Sequence, residues 1–490
     1  MPKLTRRQMV AGMAVAAGTA AMPGAVLSAS PEEITWMPGW MLRDKMVSRQ
    51  MSASNVTEHF LARIANHDSQ LNAFRIIDAE GARSQARAAD TALGRGEAAG
   101  SLHGIPIAVK ESLAVKGFAQ AAKGGQVATV DDIIVERLRR AGAIIVGTTV
   151  MPGMGNWIAQ QVAYGTTAPT LSDHPRNPWD LDRVPGSSSA GSAAAAAAAL
   201  VPITIGGDGG GSTRLPAALS GVVGAHTAFG RIPSVSYDKA NFSLTNTHGP
   251  MCRDLRDAAT VMQAVSGPDG RDFTSIQDEI NFLQDLDGGV AGLKFAWTDD
   301  YGLGELAAWK SSAVIAKIRG AAQQFTQLGA QFEETREVWP DFYDAYQKTG
   351  IFYGAGSPGR LGNGQVESSS VREALELREQ VRQIFARVFD DHSLLLSPTL
   401  NFTAPTVEAW DDAWSGDTLK NPLGFAPVYT STTHIYNWIG WPAISVPVGF
   451  VDGLPVGLQI SAPPSREAMI YRAAAALMKA HPFDQRPPID

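Results

Sequence analysis

The feature that most constrains the fold is an alanine-rich stretch, GSAAAAAAAL, at residues 191–200. Alanine has the highest helix propensity of all residues, so this stretch predicts a helix. The short side chains allow such a helix to lie very close to the element it packs on. The apolar run VPITIGG follows directly, and its glycine boundary indicates a buried strand. A helix placed tightly against a buried strand favours an α/β protein.

The same alternation of helices and apolar strands is found along the rest of the chain. LHGIPIAVKES and AGAIIVGTTV predict buried strands, the amphipathic segment DDIIVERLRRAG between them predicts a helix, and residues 45–98 predict helices. Later strands are predicted at GVVGAH, GLKFAW, LLLSPTL, AISVPV and VGLQIS, and later helices at SAVIAKIRGAAQQFTQLG and VREALELREQVRQIFARVF. Neither a linker nor a fixed-period repeat divides the chain, so we expect one large α/β domain over residues 30–490.

Charge and cysteine content exclude several classes of protein. The chain has 490 residues, a net charge of −7, and lysines and arginines that are scattered instead of clustered, which argues against nucleic acid as a partner. Its one cysteine, Cys252, excludes an intramolecular disulfide, and no His/Cys cluster has the spacing of a zinc site. We therefore expect neither a metal nor another cofactor.

The first 29 residues differ in kind from the rest. Arg6 and Arg7 precede a modestly apolar stretch rich in Ala and Gly, which resembles a twin-arginine export signal cut between Ser28 and Ser30. An uncleaved membrane anchor is the alternative, although glycine and proline dilute this stretch and it is barely long enough to span a bilayer. No later segment is apolar enough to cross a membrane. We expect an exported, periplasmic protein that is soluble once residues 1–29 are removed.

A glycine cluster that ends in serine is the strongest chemical signal. In Gly209-Gly210-Gly211-Ser212 the backbone N–H groups are free to converge on one point, as in an oxyanion hole, and the serine would face the same carbonyl carbon. Serine needs a base, yet no GxSxG elbow surrounds Ser212 and no histidine is an obvious partner. Lys110 ends an apolar run where burial would lower its pKa, and Ser188 is placed to relay the proton.

Three ordered segments resemble the amidase signature family: GIPIAVKES (104–112), NPWDLDRVPGSSSAGSAAAAAAALVPITIG (177–206) and GDGGGSTRLPAALSGVVGAHTAFGRIP (207–233). The likeness extends over roughly residues 45–480, with the signature core at about 100–235. It implies amide hydrolysis by a Ser–cis-Ser–Lys triad. It also implies a single α/β domain, with a central mixed and mostly parallel sheet covered by helices on both faces.

The resemblance assigns a role to each matching residue. It makes Lys110 the base, Ser188 the bridging serine reached through a cis peptide, and Ser212, 24 residues later, the nucleophile. It assigns the supporting positions as follows: Gly209, Gly210 and Gly211 as oxyanion donors, Asp208 and Arg214 as a pair beside the nucleophile, and Met154 and Trp157 to the substrate pocket. A place in the hydrophobic core is the alternative for Met154 and Trp157, because both are apolar. Ser187 and Ala190 depart from the family pattern, which usually has glycine there, and Ser187 bears on the expected cis geometry.

Two other classes of protein stay open. Ser236 and Lys239 match the SxxK motif of β-lactamase-like hydrolases, and Lys348-Thr349-Gly350 matches KTG, although no SDN lies between them. A catalytically silent amide-binding protein is the other alternative, but all three triad positions are present. His103 has no partner in sequence and is expected to be structural. The expected partner is a small-molecule or peptide amide, and a homodimer is one option for the assembly.

Overall fold

The computed structural model describes residues 30–120, 125–152, 174–234, 245–302, 309–340, 368–414 and 432–489. Eleven strands form one mixed sheet in the order β1-β5-β2-β6-β8-β7-β12-β13-β11-β9-β10, and β3 and β4 form a separate hairpin. The strands are β1 Phe74–Ile77, β2 Pro106–Lys110, β3 Ala119–Gln120, β4 Gln126–Val127, β5 Ile144–Thr149, β6 Ile203–Asp208, β7 Val223–His226, β8 Thr247–Cys252, β9 Lys294–Trp297, β10 Gln331–Glu334, β11 Leu394–Pro398, β12 Ala443–Val451 and β13 Leu454–Ser461.

The helices of the described residues cover this sheet. They are α1 Pro31–Trp36, α2 Gly39–Val47, α3 Ala53–Leu71, α4 Ala79–Gly94, α5 Ile133–Arg140, α6 Ala190–Ala197, α7 Arg214–Ser220, α8 Leu255–Val265, α9 Ser312–Gln323, α10 Ser368–Asp391, α11 Val407–Trp414, α12 His434–Ile439 and α13 Glu467–Ala480, with a 3-10 helix at Gln324–Leu328. None of the helices described combines the length and the hydropathy that crossing a bilayer requires.

Both faces of the sheet are buried, as the alternation of side chains along β11 shows. Leu394 and Leu396 pack in the main hydrophobic core, whereas Leu395 between them packs with Phe385 of α10 and Ile435 of α12. Successive side chains of a strand point to opposite faces, so helices lie against each face. The predicted single α/β domain with a doubly covered mixed sheet is confirmed.

The expectation of a mostly parallel sheet is wrong. Among the described strands, six neighbouring pairs are antiparallel and four are parallel. One cause is a tight hairpin between β12 and β13, closed by Asp452 and Gly453 at φ of 51° and 77°. An Asp-Gly pair with positive φ at both residues is the two-residue connection that antiparallel strands favour.

The alanine-rich stretch forms α6, as predicted, and lies in a tightly packed layer. Ala193, Ala196 and Ala197 contact Ala217 of α7 and Met251 of β8, and all five are buried. Because alanine side chains are short, α6 brings its N-terminal end, with the serines that precede it, close to the carboxyl ends of β2 and β6. This packing positions the candidate site.

Candidate active site

Lys110 is the last residue of β2, in the interior of the sheet. β2 runs parallel to both β5 and β6, so the side chain emerges at the carboxyl edge that these three strands share. It is 4% exposed. Its Nζ donates hydrogen bonds to Ser188 Oγ at 2.6 Å and to the Gly207 carbonyl at 3.2 Å. A buried amine is thus held against the hydroxyl that the sequence predicted as its partner.

Burial changes the protonation of this amine. Desolvation lowers the pKa of Lys110 to about 7, although the negative charges of Asp208 and Glu111 act to raise it. In the part of the chain that the structure describes, no carboxylate lies within ion-pair distance of Nζ. A large fraction of Lys110 is therefore neutral near pH 7 and able to accept a proton.

Ser212 lies in the turn that leads into α7, and it is half-buried, as is Ser188. Its Oγ accepts a hydrogen bond from Ser187 Oγ at 2.9 Å. The structure therefore pairs Lys110 with Ser188 and Ser212 with Ser187, and the predicted bridge of one serine between Lys110 and Ser212 is not present as a direct contact. The two neighbouring hydroxyls serve different partners.

The peptide bond before Ser188 differs from the expectation drawn from the family. Every described peptide bond is trans, including the one between Ser187 and Ser188. The predicted cis bond is therefore wrong for this structure. Trans is the lower-energy form for any residue other than proline.

The glycine loop is fixed by close contacts. Gly211 has φ of 110°, and a Cβ atom there would collide with the side chain of Thr433. Its N–H donates to Asp208 Oδ1 at 2.6 Å. The prediction of Gly211 as an oxyanion donor is therefore wrong for this conformation, because its hydrogen already points at a carboxylate. Gly209 and Gly210 precede Ser212 by three and two residues and are half-buried. Their role as oxyanion donors stays a prediction.

Asp208 and Arg214, predicted as a supporting pair, form a fully buried ion pair. Arg214 Nε and Nη2 donate to the two oxygens of Asp208 at 3.0 and 3.1 Å. Nη1 donates to Gln459 Oε1 at 2.8 Å, and Nη2 also donates to Asn437 Oδ1 at 2.6 Å. Burial acts to raise the pKa of Asp208, but Arg214 and the hydrogen bond from Thr213 hold that pKa well below its usual range.

Sequence reasoning missed three side chains that complete this site. Thr433 and Asn437 come from the segment around α12, and Gln459 comes from β13. Thr433 donates to the Gly210 carbonyl at 3.2 Å, and Asn437 Nδ2 donates to the Asp208 carbonyl and to Asp208 Oδ1. Each lies more than two hundred residues from its partner, and no local pattern marks it.

The remaining sequence predictions are placed as follows. His103 is buried, and desolvation lowers its pKa. Met154, Trp157, Ser236, Lys239 and the KTG motif at 348–350 lie outside the described residues, as does the signal segment 1–29. Within the described ranges, no group of His, Cys, Asp and Glu side chains is arranged to hold a metal ion.

Comparison with known proteins shows which family the chain resembles over most of its length. A model of the amidase family matches residues 55–355 and 358–471. An acylamidase of Rhodococcus erythropolis is 30% identical over 488 residues, which cover 94% of this chain and 98% of that enzyme. A glutamyl-tRNA(Gln) amidotransferase subunit from Moorella thermoacetica is 31% identical, over 93% of this chain and 99% of its own length. The crystal structure of a bacterial aryl acylamidase of the amidase signature family superposes with a TM-score of 0.80 at 27% identity, over 94% and 99% of the two chains.

These matches extend over nearly the whole chain and include all three segments on which the resemblance was based. The large mixed sheet of the structure is likewise shared with the amidase signature enzymes. The chain belongs to the amidase family and is a hydrolase that cleaves the C–N bond of carboxylic amides.

Proposed function

We propose that amide hydrolysis proceeds here through an acyl-enzyme on Ser212, with Lys110 as the general base. The observation that carries the proposal is the contact of the buried Lys110 Nζ with Ser188 Oγ, at 2.6 Å. A lysine that is protonated at neutral pH cannot accept a proton, but burial places the pKa of Lys110 at about 7. Ser188 and Ser212 are both half-buried, so each hydroxyl keeps an exposed part that a substrate carbonyl can approach.

The proposed steps conserve every proton. Ser188 and Ser212 do not bond each other in the described structure, so the proposal requires Ser188 Oγ to come within hydrogen-bond distance of Ser212 when substrate binds. As Ser212 Oγ then attacks the amide carbon, its proton passes to Ser188, whose own proton passes to neutral Lys110. The resulting lysinium returns a proton by the same route to the leaving nitrogen, and the C–N bond breaks. Water then attacks the acyl-enzyme in the same way and releases the carboxylate. The amides of Gly209 and Gly210 are the proposed donors to the tetrahedral oxyanion.

We propose an acylated amine, either a small molecule or a peptide amide, as the substrate. Support comes from the likeness to an acylamidase and to an aryl acylamidase, both of which cover nearly the full chain. The scattered positive charge gives no support for a nucleic-acid substrate.

Release of amine or ammonia from a panel of amides tests these proposals. The panel holds anilides, aliphatic amides, peptide amides, cyclic amides and a chromogenic β-lactam, and it compares the wild type with Ser212→Ala. We expect turnover of an acylated amine that falls at least about a thousandfold in the variant, since the loss of a nucleophile removes the whole covalent route.

Three outcomes would contradict the proposal. β-Lactam turnover that Ser212→Ala leaves intact would assign the chemistry to Ser236 and Lys239. Amide turnover that survives in Ser212→Ala would remove Ser212 as the nucleophile. Binding of amides without turnover by folded protein would identify a silent binding protein.

We propose, finally, that the chain is exported to the periplasm through the twin-arginine pathway, with Arg6 and Arg7 as the recognition pair. Fractionation of expressing cells tests this proposal, with Arg6→Lys combined with Arg7→Lys as the control. Retention of the wild type in the cytoplasm would contradict it. The homodimer stays a prediction, which sedimentation of the purified protein will test.

A further inference from the structure

Ser187 occupies a position in this site that the proposed mechanism does not use. Its hydroxyl donates to Ser212 Oγ at 2.9 Å, and the side chain is 4% exposed. The amidase resemblance places glycine at this position, so the contact comes from this chain's own residue. The hydroxyl is directed at the proposed nucleophile instead of at Lys110 or at the backbone.

A donor at this position affects the proton of Ser212. A serine hydroxyl has one hydrogen and two lone pairs. When Ser187 donates to one lone pair of Ser212, the hydrogen of Ser212 stays available for Ser188. As Ser212 loses that hydrogen during attack, its oxygen gains negative charge, and the hydrogen bond from Ser187 becomes charge-assisted and stronger. The contact therefore stabilises the transition state more than the resting enzyme.

Neighbouring serines do not have the same geometry. Ser189 Oγ bonds both the carbonyl and the N–H of Gly207, and Ser192 Oγ bonds Thr149 Oγ1 at 2.6 Å and the Ile205 carbonyl. Those two hydroxyls stabilise the packing of α6 on β5 and β6. Of these three hydroxyls, the one that bonds Ser212 in the described structure is that of Ser187.

We propose that Ser187 is a positioning residue that orients Ser212 for proton transfer and donates a hydrogen bond to its oxygen during acylation. This inference rests on the proposed function of Ser212 as the nucleophile. It predicts a specific kinetic effect, in which substrate binding is retained and acylation is slowed.

The test compares Ser187→Ala, Ser187→Gly and Ser187→Thr with the wild type. Ser192→Ala is the matched control, because it removes a buried hydroxyl from the same segment without touching Ser212. Two readouts are measured: kcat and KM for an amide that the wild type hydrolyses, over a range of pH, and the rate at which a fluorophosphonate labels Ser212, read by intact mass. Melting temperatures report whether each variant folds.

We expect kcat and the labelling rate to fall about 10- to 100-fold in Ser187→Ala and Ser187→Gly, as the loss of a hydrogen bond to a charged oxygen implies. KM and the pH of half-maximal rate stay close to the wild type, Ser187→Thr keeps most of the activity, and Ser192→Ala labels at the wild-type rate.

Two results would overturn the inference. One is wild-type kcat and labelling in folded Ser187→Ala. The other is a loss that appears as a shifted pH midpoint, because Ser187 would then act on Lys110. Absence of label in the wild type, or label that persists in Ser212→Ala, would instead refute the proposed nucleophile. If Ser187→Ala does not fold, the pair Ser187→Gly and Ser187→Thr decides between the outcomes.

Discussion

Two buried basic side chains, Arg214 and Lys110, lie near the carboxylate of Asp208, but their hydrogen-bond partners differ in charge. Arg214 is fully buried, and its guanidinium bonds Asp208, Asn437 and Gln459. Lys110 is almost as deeply buried, but its described hydrogen bonds go to a hydroxyl and a carbonyl, neither of which carries a full charge. Arg214 contacts a carboxylate and two neutral acceptors, whereas Lys110 has no counter-ion in contact among the described residues.

The difference suits the two side chains to different roles, Arg214 to a structural one and Lys110 to the proposed one of a base. A guanidinium keeps its proton in proteins, so a buried Arg214 needs a carboxylate and stabilises the loop that holds it. An amine can give up its proton, so the weaker charge pairing of Lys110 in the described structure favours the neutral form that the proposed mechanism requires. Asp208 acts on both cations: it is in direct contact with Arg214, and at longer range it limits the fall in the pKa of Lys110.

The largest effect is expected when Lys110, the proposed base, is replaced. Lys110→Met keeps the length of the side chain but cannot accept a proton, and Lys110→Arg stays charged. We expect kcat/KM to fall about 10²- to 10⁴-fold in both variants, the usual contribution of a positioned base. Steady-state kinetics measure this loss, and circular dichroism shows whether the variants fold. Full activity in folded Lys110→Met would show that Lys110 is not the base, and that it does not differ in role from Arg214.

The next largest effect is expected when the paired cation loses its counter-ion. Asp208→Asn leaves the Arg214 guanidinium buried without a carboxylate, and we expect the free energy of unfolding to fall by about 3–5 kcal/mol. Urea unfolding measures the change. The matched control is Asp287→Asn, which breaks an ion pair with Arg256 in which the Asp287 side chain is 65% exposed. That pair contributes at most about 1 kcal/mol, so equal losses in the two variants would contradict the prediction.

A smaller loss of stability is expected when Asn437, a neutral partner of the Asp208–Arg214 pair, is replaced. Asn437→Ala removes an acceptor from Arg214 and a donor from Asp208, but the two charges stay in contact. We expect the free energy of unfolding to fall by about 1–3 kcal/mol, the cost of leaving buried polar groups unsatisfied. The same urea curves measure it. A loss as large as that of Asp208→Asn would show that the ion pair itself contributes little.

The smallest effect is a shift in pH dependence. The proposed mechanism requires neutral Lys110, so kcat/KM should rise as the pH passes through the lysine pKa of about 7 and level off above it. Glu111 is buried beside Lys110, and its negative charge acts to raise that pKa. Glu111→Gln should therefore move the midpoint of the pH–rate profile to lower pH. Glu58→Gln, at an exposed carboxylate paired with Arg83, should leave the midpoint in place. A midpoint that rises in Glu111→Gln would contradict the electrostatic account.

The sequence was sufficient to predict that Lys110 and Ser188 lie together and that Asp208 pairs with Arg214, because these residues lie in short segments with a recognisable order and spacing. The catalytic role of Ser212 stays a prediction. Periodicity also located most strands and helices. It did not give the direction of strand pairing, since a buried strand has the same apolar pattern beside a parallel or an antiparallel neighbour. For one pair, β12 and β13, the Asp452-Gly453 dipeptide between the two apolar runs was a signal for an antiparallel hairpin.

The partners of Arg214 were outside the reach of sequence reasoning for a different reason. Asn437 and Gln459 are ordinary polar residues in apolar segments, and only the folded sheet brings them to the ion pair. The contact from Ser187 to Ser212 was missed in a similar way. The sequence showed that Ser187 departs from the family pattern, but the partner of its hydroxyl depends on how the two loops meet.

The place of β12 and β13 within the sheet determines when during synthesis this site becomes complete. These two strands are the last of the described strands in the chain, yet they lie between β7 and β11, in the interior of the sheet. The ribosome produces Lys110, Ser188 and Ser212 long before it produces Gln459. Until the final hairpin inserts, the guanidinium of Arg214 lacks that partner and the sheet is divided into two halves. A nascent chain therefore carries every proposed reactive group without the framework that aligns them, and activity should appear only after nearly all of the protein has been made.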